Sequence, residues 1–205
     1  MGGGRYMKTI LLDNGHGGII NGFYQTSGKR SPVWSDGTIL YEGEFNRAIV
    51  NGIIQELTKL KIPYVNIAPE YEDISLEERV KRANMYNAKN SVYVSIHSNA
   101  GDPSAYGWEI YTGIGQTESD KIADVFIDKL KIVFPEAKVR SDLTDKDLDK
   151  EEDFYVLKYT KMPAVLTENF FMTNEKECKE YLLNSNGRSR IIKYHVDAIK
   201  EIASR

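Results

Sequence analysis

The sequence has little cysteine, little histidine and no long apolar run. Its single cysteine, Cys178, excludes a disulfide framework and a zinc site built from several thiolates. Among 205 residues, 27 are basic and 30 acidic, so the chain lacks the basic excess of nucleic-acid-binding proteins and we expect no such partner. No apolar run approaches the ~20 residues that span a bilayer, so we expect no membrane span.

The N-terminus is rich in glycine and lacks the apolar core of a signal peptide. We therefore expect residues 1–7 to form a flexible leader and residues 8–205 to form a single domain. We also expect the protein to be made in the cytoplasm without a visible export signal.

Hydrophobic periodicity along the chain indicates strands that alternate with helices. This alternation predicts an α/β fold, with a single three-layer domain in which helices cover both faces of a twisted, mostly parallel (mixed) central sheet. The apolar runs predict strands over residues 8–12, 64–67, 91–96, 107–112 and 164–167. Helical patterns cover residues 42–60, 75–88, 117–134, 175–184 and 187–203.

Two segments between these elements have a distinctive composition. Residues 19–41 form a long predicted loop rich in glycine, serine and aromatic residues, and loops of this length often have a function. Residues 141–153 contain seven acidic residues and two lysines, which is typical of a solvated loop.

Potential metal ligands follow three predicted strands. His16, His97 and Glu168 stand near the carboxyl ends of strands, where the active sites of α/β folds lie. Glu42 or Glu44, at the start of the first predicted helix, could reach the same edge. Two histidines and one carboxylate form a known catalytic zinc set. The alternatives are that His16 is a turn residue and that Glu168 belongs to a buried ion pair.

The third histidine and the cysteine have a different pattern. His195 shares a helical face with Ile191, Ile199 and Ile202, which favours a packed core or boundary position. Cys178 is expected to be a buried or boundary residue of a helix.

Six segments resemble the zinc-dependent N-acetylmuramoyl-L-alanine amidases of type 3, which are cell-wall lytic enzymes of bacteria and phages. Four carry the candidate ligands or their neighbours, and two more match segments between them. They occur in family order along nearly the whole chain: Leu12–Gly18, Glu42–Asn46, Asp73–Arg79 followed by Ala83-Asn84, Ser95–Ala100, Phe154–Leu157 and Ala164–Asn174.

The resemblance implies a site and a reaction. Zn²⁺ would be held by His16, Glu42 and His97, and Glu168 would be the catalytic glutamate of a catalytic domain over residues 8–205. The choice of Glu42 rests on the family spacing, in which the ligand stands four residues before an asparagine, here Asn46. The implied reaction is hydrolysis of the amide between the lactyl group of N-acetylmuramic acid and L-alanine in peptidoglycan.

Substrate contacts are predicted less directly. Trp34, in the long loop, and Trp108 could form walls of a glycopeptide groove. The alternative is that the loop aromatics, which include Phe23 and Tyr24, pin the loop to the core. Asn99 and Asn169 flank the presumed zinc residues and could orient them or hold the stem peptide. Glu44 is expected to be a solvated acid of the first helical turn, where it suits the helix dipole.

The sequence departs from the family pattern at two places. Asn14 replaces the usual proline, and the arginine that often precedes the position of Asp73 is missing. There is no obvious extra helix between Gly107 and Phe154 that could block the zinc, so we expect constitutive activity.

Rival functions are a carboxypeptidase-like zinc hydrolase and a non-catalytic cell-wall binding module. A monomeric phage endolysin released by host lysis, or an exported and processed bacterial enzyme, fits the sequence.

Overall fold

A computed structural model describes residues 7–143 and 147–205. The leader predicted over residues 1–7 lies outside this part except for the exposed Met7. The strands of the main sheet are β1 (Thr9–Asn14), β4 (Tyr64–Asn66), β5 (Ser91–Asn99), β6 (Glu109–Thr112), β7 (Lys150–Glu151) and β8 (Ala164–Phe171). Strands β2 (Ile19–Ile20) and β3 (Phe23–Tyr24) form a small hairpin. The helices are α1 (Glu42–Leu60), α2 (Leu76–Ala83), α3 (Glu118–Val133), α4 (Tyr155–Tyr159), α5 (Glu175–Glu177), which continues as a π-helical segment over Cys178–Leu183, and α6 (Ser185–Ala203).

The central sheet is mixed and mostly parallel, as the sequence predicts. Its strand order is β4-β1-β5-β8-β6-β7. The four strands from β4 to β8 run parallel, and β6 runs antiparallel to β8 and parallel to β7. The carboxyl ends of β1, β5 and β8 therefore meet at one edge of the sheet.

Helices cover both faces of the sheet, which explains why its central strands are nearly continuous apolar runs. On one face, Ile10, Val92 and Val165 belong to the larger core, with α1, α3 and α6. On the other face, Leu11, Tyr93 and other residues pack with α2 and α4 in a smaller core. Because α2 and α4 cover less of the sheet than α1, α3 and α6, part of the second face is left open.

Strand periodicity assigns the polar residues to that second face. Side chains two residues apart in a strand point to the same side, so Asp13 follows Leu11, and Ser95 and His97 follow Tyr93. Glu168 likewise follows Leu166 and pairs with His97 across the sheet. The polar end of each strand thus continues the face that packs against α2 and α4.

The acidic segment 141–153 is not wholly a solvated loop. Asp149 is buried and accepts a hydrogen bond from the Thr112 hydroxyl at 2.6 Å. Residues Lys150–Glu151 form β7 and pair with β6. The prediction of a solvated loop is therefore wrong for this part, because pairing with a sheet edge satisfies its backbone. Residues 144–146 of the same segment lie outside the described residues.

Candidate metal centre

Three potential ligands converge at the carboxyl edge of the sheet. Ligand atoms of His16, Glu42 and His97 all lie within 4.8 Å of one another. Oε1 of Glu42 is 3.3 Å from Nε2 of His16 and 3.0 Å from Nδ1 of His97. The imidazole rings lie edge-to-face with centroids 5.0 Å apart. A cation at this point would meet two nitrogens and one carboxylate oxygen, a donor set that suits zinc.

The turn after β1 brings His16 into place through unusual backbone geometry. His16 has a positive φ of 69°, and Gly15 before it packs against the His97 ring. The Asn46 amide donates to the Gly15 carbonyl at 2.9 Å and so ties this turn to α1. The local sequence, Gly15-His16-Gly17-Gly18, supplies the small residues that such close packing needs.

Glu42 is the buried first residue of α1. Burial alone would raise the pKa of its carboxyl, but hydrogen bonds and charge from His16 and His97 outweigh burial and hold the pKa well below its usual range. Gly43 allows this close packing, because a Cβ there would lie 1.9 Å from the Gly17 carbonyl oxygen. The start of α1 therefore packs on the glycine turn with no room for a side chain at residue 43.

Glu44 is not the solvated acid that the sequence predicts. Its Oε1 accepts a hydrogen bond from the Ile19 backbone amide at 2.7 Å. The side chain thus holds the start of the β2–β3 hairpin, while Glu42 alone of the two carboxylates reaches the histidines. Their separation of about 200° around the helix accounts for this division.

Glu168 lies beside the three ligands without joining them. Burial raises the pKa of its carboxyl well above the usual range, and the charges of Glu42 and Glu109 raise it further, while Lys29 lowers it. Within the described residues, its buried Oε2 atom has no hydrogen-bond partner. This oxygen belongs to a carboxyl that borders the same cleft as His16 and His97, and it is available for a reactant.

A model of the N-acetylmuramoyl-L-alanine amidase family matches residues 10–201. The chain belongs to this family. It is 30% identical over 174 residues to the uncharacterized protein YqiI of Bacillus subtilis, with 83% of this chain and 73% of YqiI covered. It is 28% identical over 174 residues to the amidase CwlM of Bacillus licheniformis, with 85% of this chain but 60% of CwlM covered.

A solved amidase structure shares the whole architecture. The N-acetylmuramoyl-L-alanine amidase from Clostridium difficile 630 superposes with a TM-score of 0.78 and 26% identity, over 96% of each chain. The fold predicted from the sequence is therefore the fold of an amidase catalytic domain.

A buried ion pair holds the strand end that precedes the His16 turn. Arg79 of α2 donates to the Asp13 carboxylate and, at 2.9 Å, to the Asn14 carbonyl just before the His16 turn. Ser95 donates to the other Asp13 oxygen at 2.7 Å. Burial would raise the pKa of Asp13, but the Arg79 charge and the Ser95 hydrogen bond keep it below its usual value. Sequence reasoning assigned no role to these residues, although a carboxylate in an apolar strand signals the need for a buried cation.

Two of the predicted substrate contacts are wrong. Trp108 is fully buried, and its indole nitrogen donates to the Tyr194 hydroxyl at 2.9 Å within the larger core. Asn169 is also fully buried and donates to the His97 carbonyl at 2.9 Å. The reason is strand alternation, which turns Asn169 away from the face that carries Glu168. This hydrogen bond to the backbone of His97 favours the alternative that Asn169 orients the candidate zinc residues.

The remaining two predicted contacts stay predictions. Asn99 is partly exposed and donates to Glu109 at 2.8 Å. Trp34 is partly buried and packs against the larger core, which favours the pinning interpretation for this residue. Phe23 of the same loop is 74% exposed and remains free to meet a ligand. His195 is fully buried, as the sequence predicts.

Proposed function

We propose that this amidase-family chain hydrolyses the amide between the lactyl group of N-acetylmuramic acid and L-alanine of peptidoglycan, and that it uses zinc to do so. The observation that carries the proposal is the convergence of His16, Glu42 and His97 beside Glu168, whose Oε2 atom has no hydrogen-bond partner among the described residues.

The three residues fit a zinc ion by their chemistry. His16 and His97 would offer neutral imidazole nitrogens, and Glu42 would offer its Oε1 atom, to which both nitrogens already point. Three protein ligands leave one position open, as in catalytic zinc sites. Bound zinc supplies Lewis-acid polarisation of the scissile carbonyl and of the attacking water.

Glu168 would move the protons. Its carboxylate accepts a proton from the attacking water and then donates it to the nitrogen of the leaving alanine. Its raised pKa favours the first step, because a carboxylate in an apolar setting is a stronger base than a solvated one. Asn46 would hold the backbone next to His16 by donating to the Gly15 carbonyl, and Asn169 would hold the backbone of His97 by donating to its carbonyl.

The place of action follows from the substrate. An enzyme with this substrate acts on the cell wall, after release by lysis or after export. No helix within residues 7–143 and 147–205 is long and apolar enough to cross a bilayer.

Metal removal tests the zinc dependence. We expect dialysis against a chelator to abolish release of peptide from purified peptidoglycan, and zinc to restore it at about one ion per chain. A His97→Ala variant is expected to bind no zinc and to stay inactive after zinc is added. Full activity of the metal-free wild type would contradict the proposal.

A further inference from the structure

A cleft of about 450 Å³ opens beside the candidate metal centre on the α2 and α4 side of the sheet. His16, His97 and Glu168 all border it, whereas Glu42 does not. Its floor contains the paired Asp13 and Arg79, whose charges are already satisfied. The cleft is therefore continuous with the reacting centre but has little unpaired charge on its floor.

The walls of the cleft are apolar and partly exposed. Leu76, at the first position of α2, is 53% exposed, and Phe154, just before α4, is 38% exposed. Ile74, Val156 and Leu166 add to this apolar lining. Exposed aliphatic and aromatic side chains that face one cleft favour a ligand with apolar groups of its own.

One cation stands at the border of the cleft. Lys29 is exposed and lines the cleft, and no acid in the described part of the chain forms an ion pair with its ammonium group. Lys29 and Glu168 border the same cleft, and the lysine charge opposes the rise in the pKa of Glu168. A ligand carboxylate would complement this charge.

The position of Glu168 indicates which half of the substrate enters the cleft. Resting on the proposed function, Glu168 must donate a proton to the leaving amine, so the amine side of the bond lies on the Glu168 side of the metal. We infer that the cleft binds the peptide half of the substrate, with its aliphatic part between Leu76 and Phe154 and a peptide carboxylate at Lys29. The glycan half would then lie outside the cleft.

Substrate pairs test the role of Lys29. We expect Lys29→Met to raise KM for N-acetylmuramoyl-L-alanyl-D-glutamate about three- to fivefold, as for an exposed ion pair, and to leave KM for the corresponding diamide unchanged. Lys29→Arg should restore the wild-type preference. Lys131→Met, which changes an exposed lysine of α3, is the matched control. An equal change with both substrates, or no change with either, would overturn the assignment of Lys29.

Binding without catalysis tests the cleft itself. In NMR titrations of the zinc-loaded protein, we expect N-acetyl-L-alanyl-D-glutamate to shift the signals of Leu76 and Phe154, and N-acetylglucosamine to leave them unchanged. Leu76→Ser should weaken dipeptide binding about five- to tenfold, because it removes an apolar contact from an exposed position. Shifts from the sugar alone, or from neither ligand, would overturn the inference. If the wild-type protein binds the dipeptide but does not hydrolyse peptidoglycan, the result would instead refute the proposed function.

Discussion

Gly15 lies so close to the His97 imidazole that a Cβ at residue 15 would fall 2.0 Å from Cε1 of the ring. The turn that carries one candidate ligand is therefore packed directly on another. The position of His97 thus depends on the absence of a side chain at residue 15, which is a constraint of volume alone.

Gly15→Ala should therefore displace the His97 ring and weaken zinc binding. We expect at least a tenfold loss of zinc affinity, the order of effect seen when a metal ligand loses its supporting contacts. Zinc titration with a competing chelator measures it. Gly113→Ala is the matched control, because a Cβ there meets its nearest neighbour at an ordinary 3.5 Å. Equal zinc affinity in the two variants would contradict the role of this contact.

Glu168→Gln separates catalysis from metal binding. Because Glu168 is not among the converging ligands, the variant should keep about one zinc per chain and lose about 10²- to 10⁴-fold in kcat, the usual contribution of a general acid–base group. Metal analysis and hydrolysis rates are measured on the same sample. Glu180→Gln, which changes an exposed carboxylate, should behave as the wild type. Retained activity in Glu168→Gln would refute the assigned role.

Arg79→Met should destabilise the fold, because it leaves the Asp13 carboxylate buried without its cation. We expect a loss of about 3–5 kcal/mol in the free energy of unfolding, measured in urea. The double variant Arg79→Met, Asp13→Asn removes both charges and should recover part of that loss. If the double variant is as unstable as the sum of the two single variants, the two residues act independently and the ion pair is not what stabilises the turn.

The acid side of the stability profile should depend on His195. Burial lowers the pKa of His195 to about 3, although the Ile191 carbonyl partly opposes this shift. The unfolded chain takes up a proton near pH 6.5 and the folded chain does not, so stability falls as the pH drops from about 6.5 towards 3.

The corresponding measurement compares urea unfolding at pH 7 and pH 5 in chelator, so that metal release does not contribute. The wild type should lose about 2 kcal/mol more than His195→Gln between these pH values. Equal losses in the two proteins would show that His195 does not remain neutral in the fold.

Sequence reasoning predicted the features that repeat along the chain or belong to a local motif. The span of α1 and the mixed sheet follow from periodicity, and the signature around His16 and His97 follows from short segments. The Arg79–Asp13 pair could not be predicted in this way, because its members are 66 residues apart and meet only when α2 packs on the sheet.

The errors at Trp108 and Asn169 have a common physical origin. Each residue stands next to a glutamate on the site face, so alternation directs each side chain into the larger core. For Asn169, proximity in sequence to Glu168 therefore indicated the opposite of proximity in space. The acidic segment was misjudged for another reason: its charge concealed a strand whose backbone pairs with β6.

The most direct test of the proposed reaction is mass spectrometry of purified peptidoglycan after digestion with the zinc-loaded protein. We predict new free amino termini on L-alanine and intact muramoyl lactyl groups, with no new reducing sugar ends. New reducing ends without free alanine termini, or cleavage only between amino acids of the stem peptide, would contradict a muramoyl-L-alanine amidase.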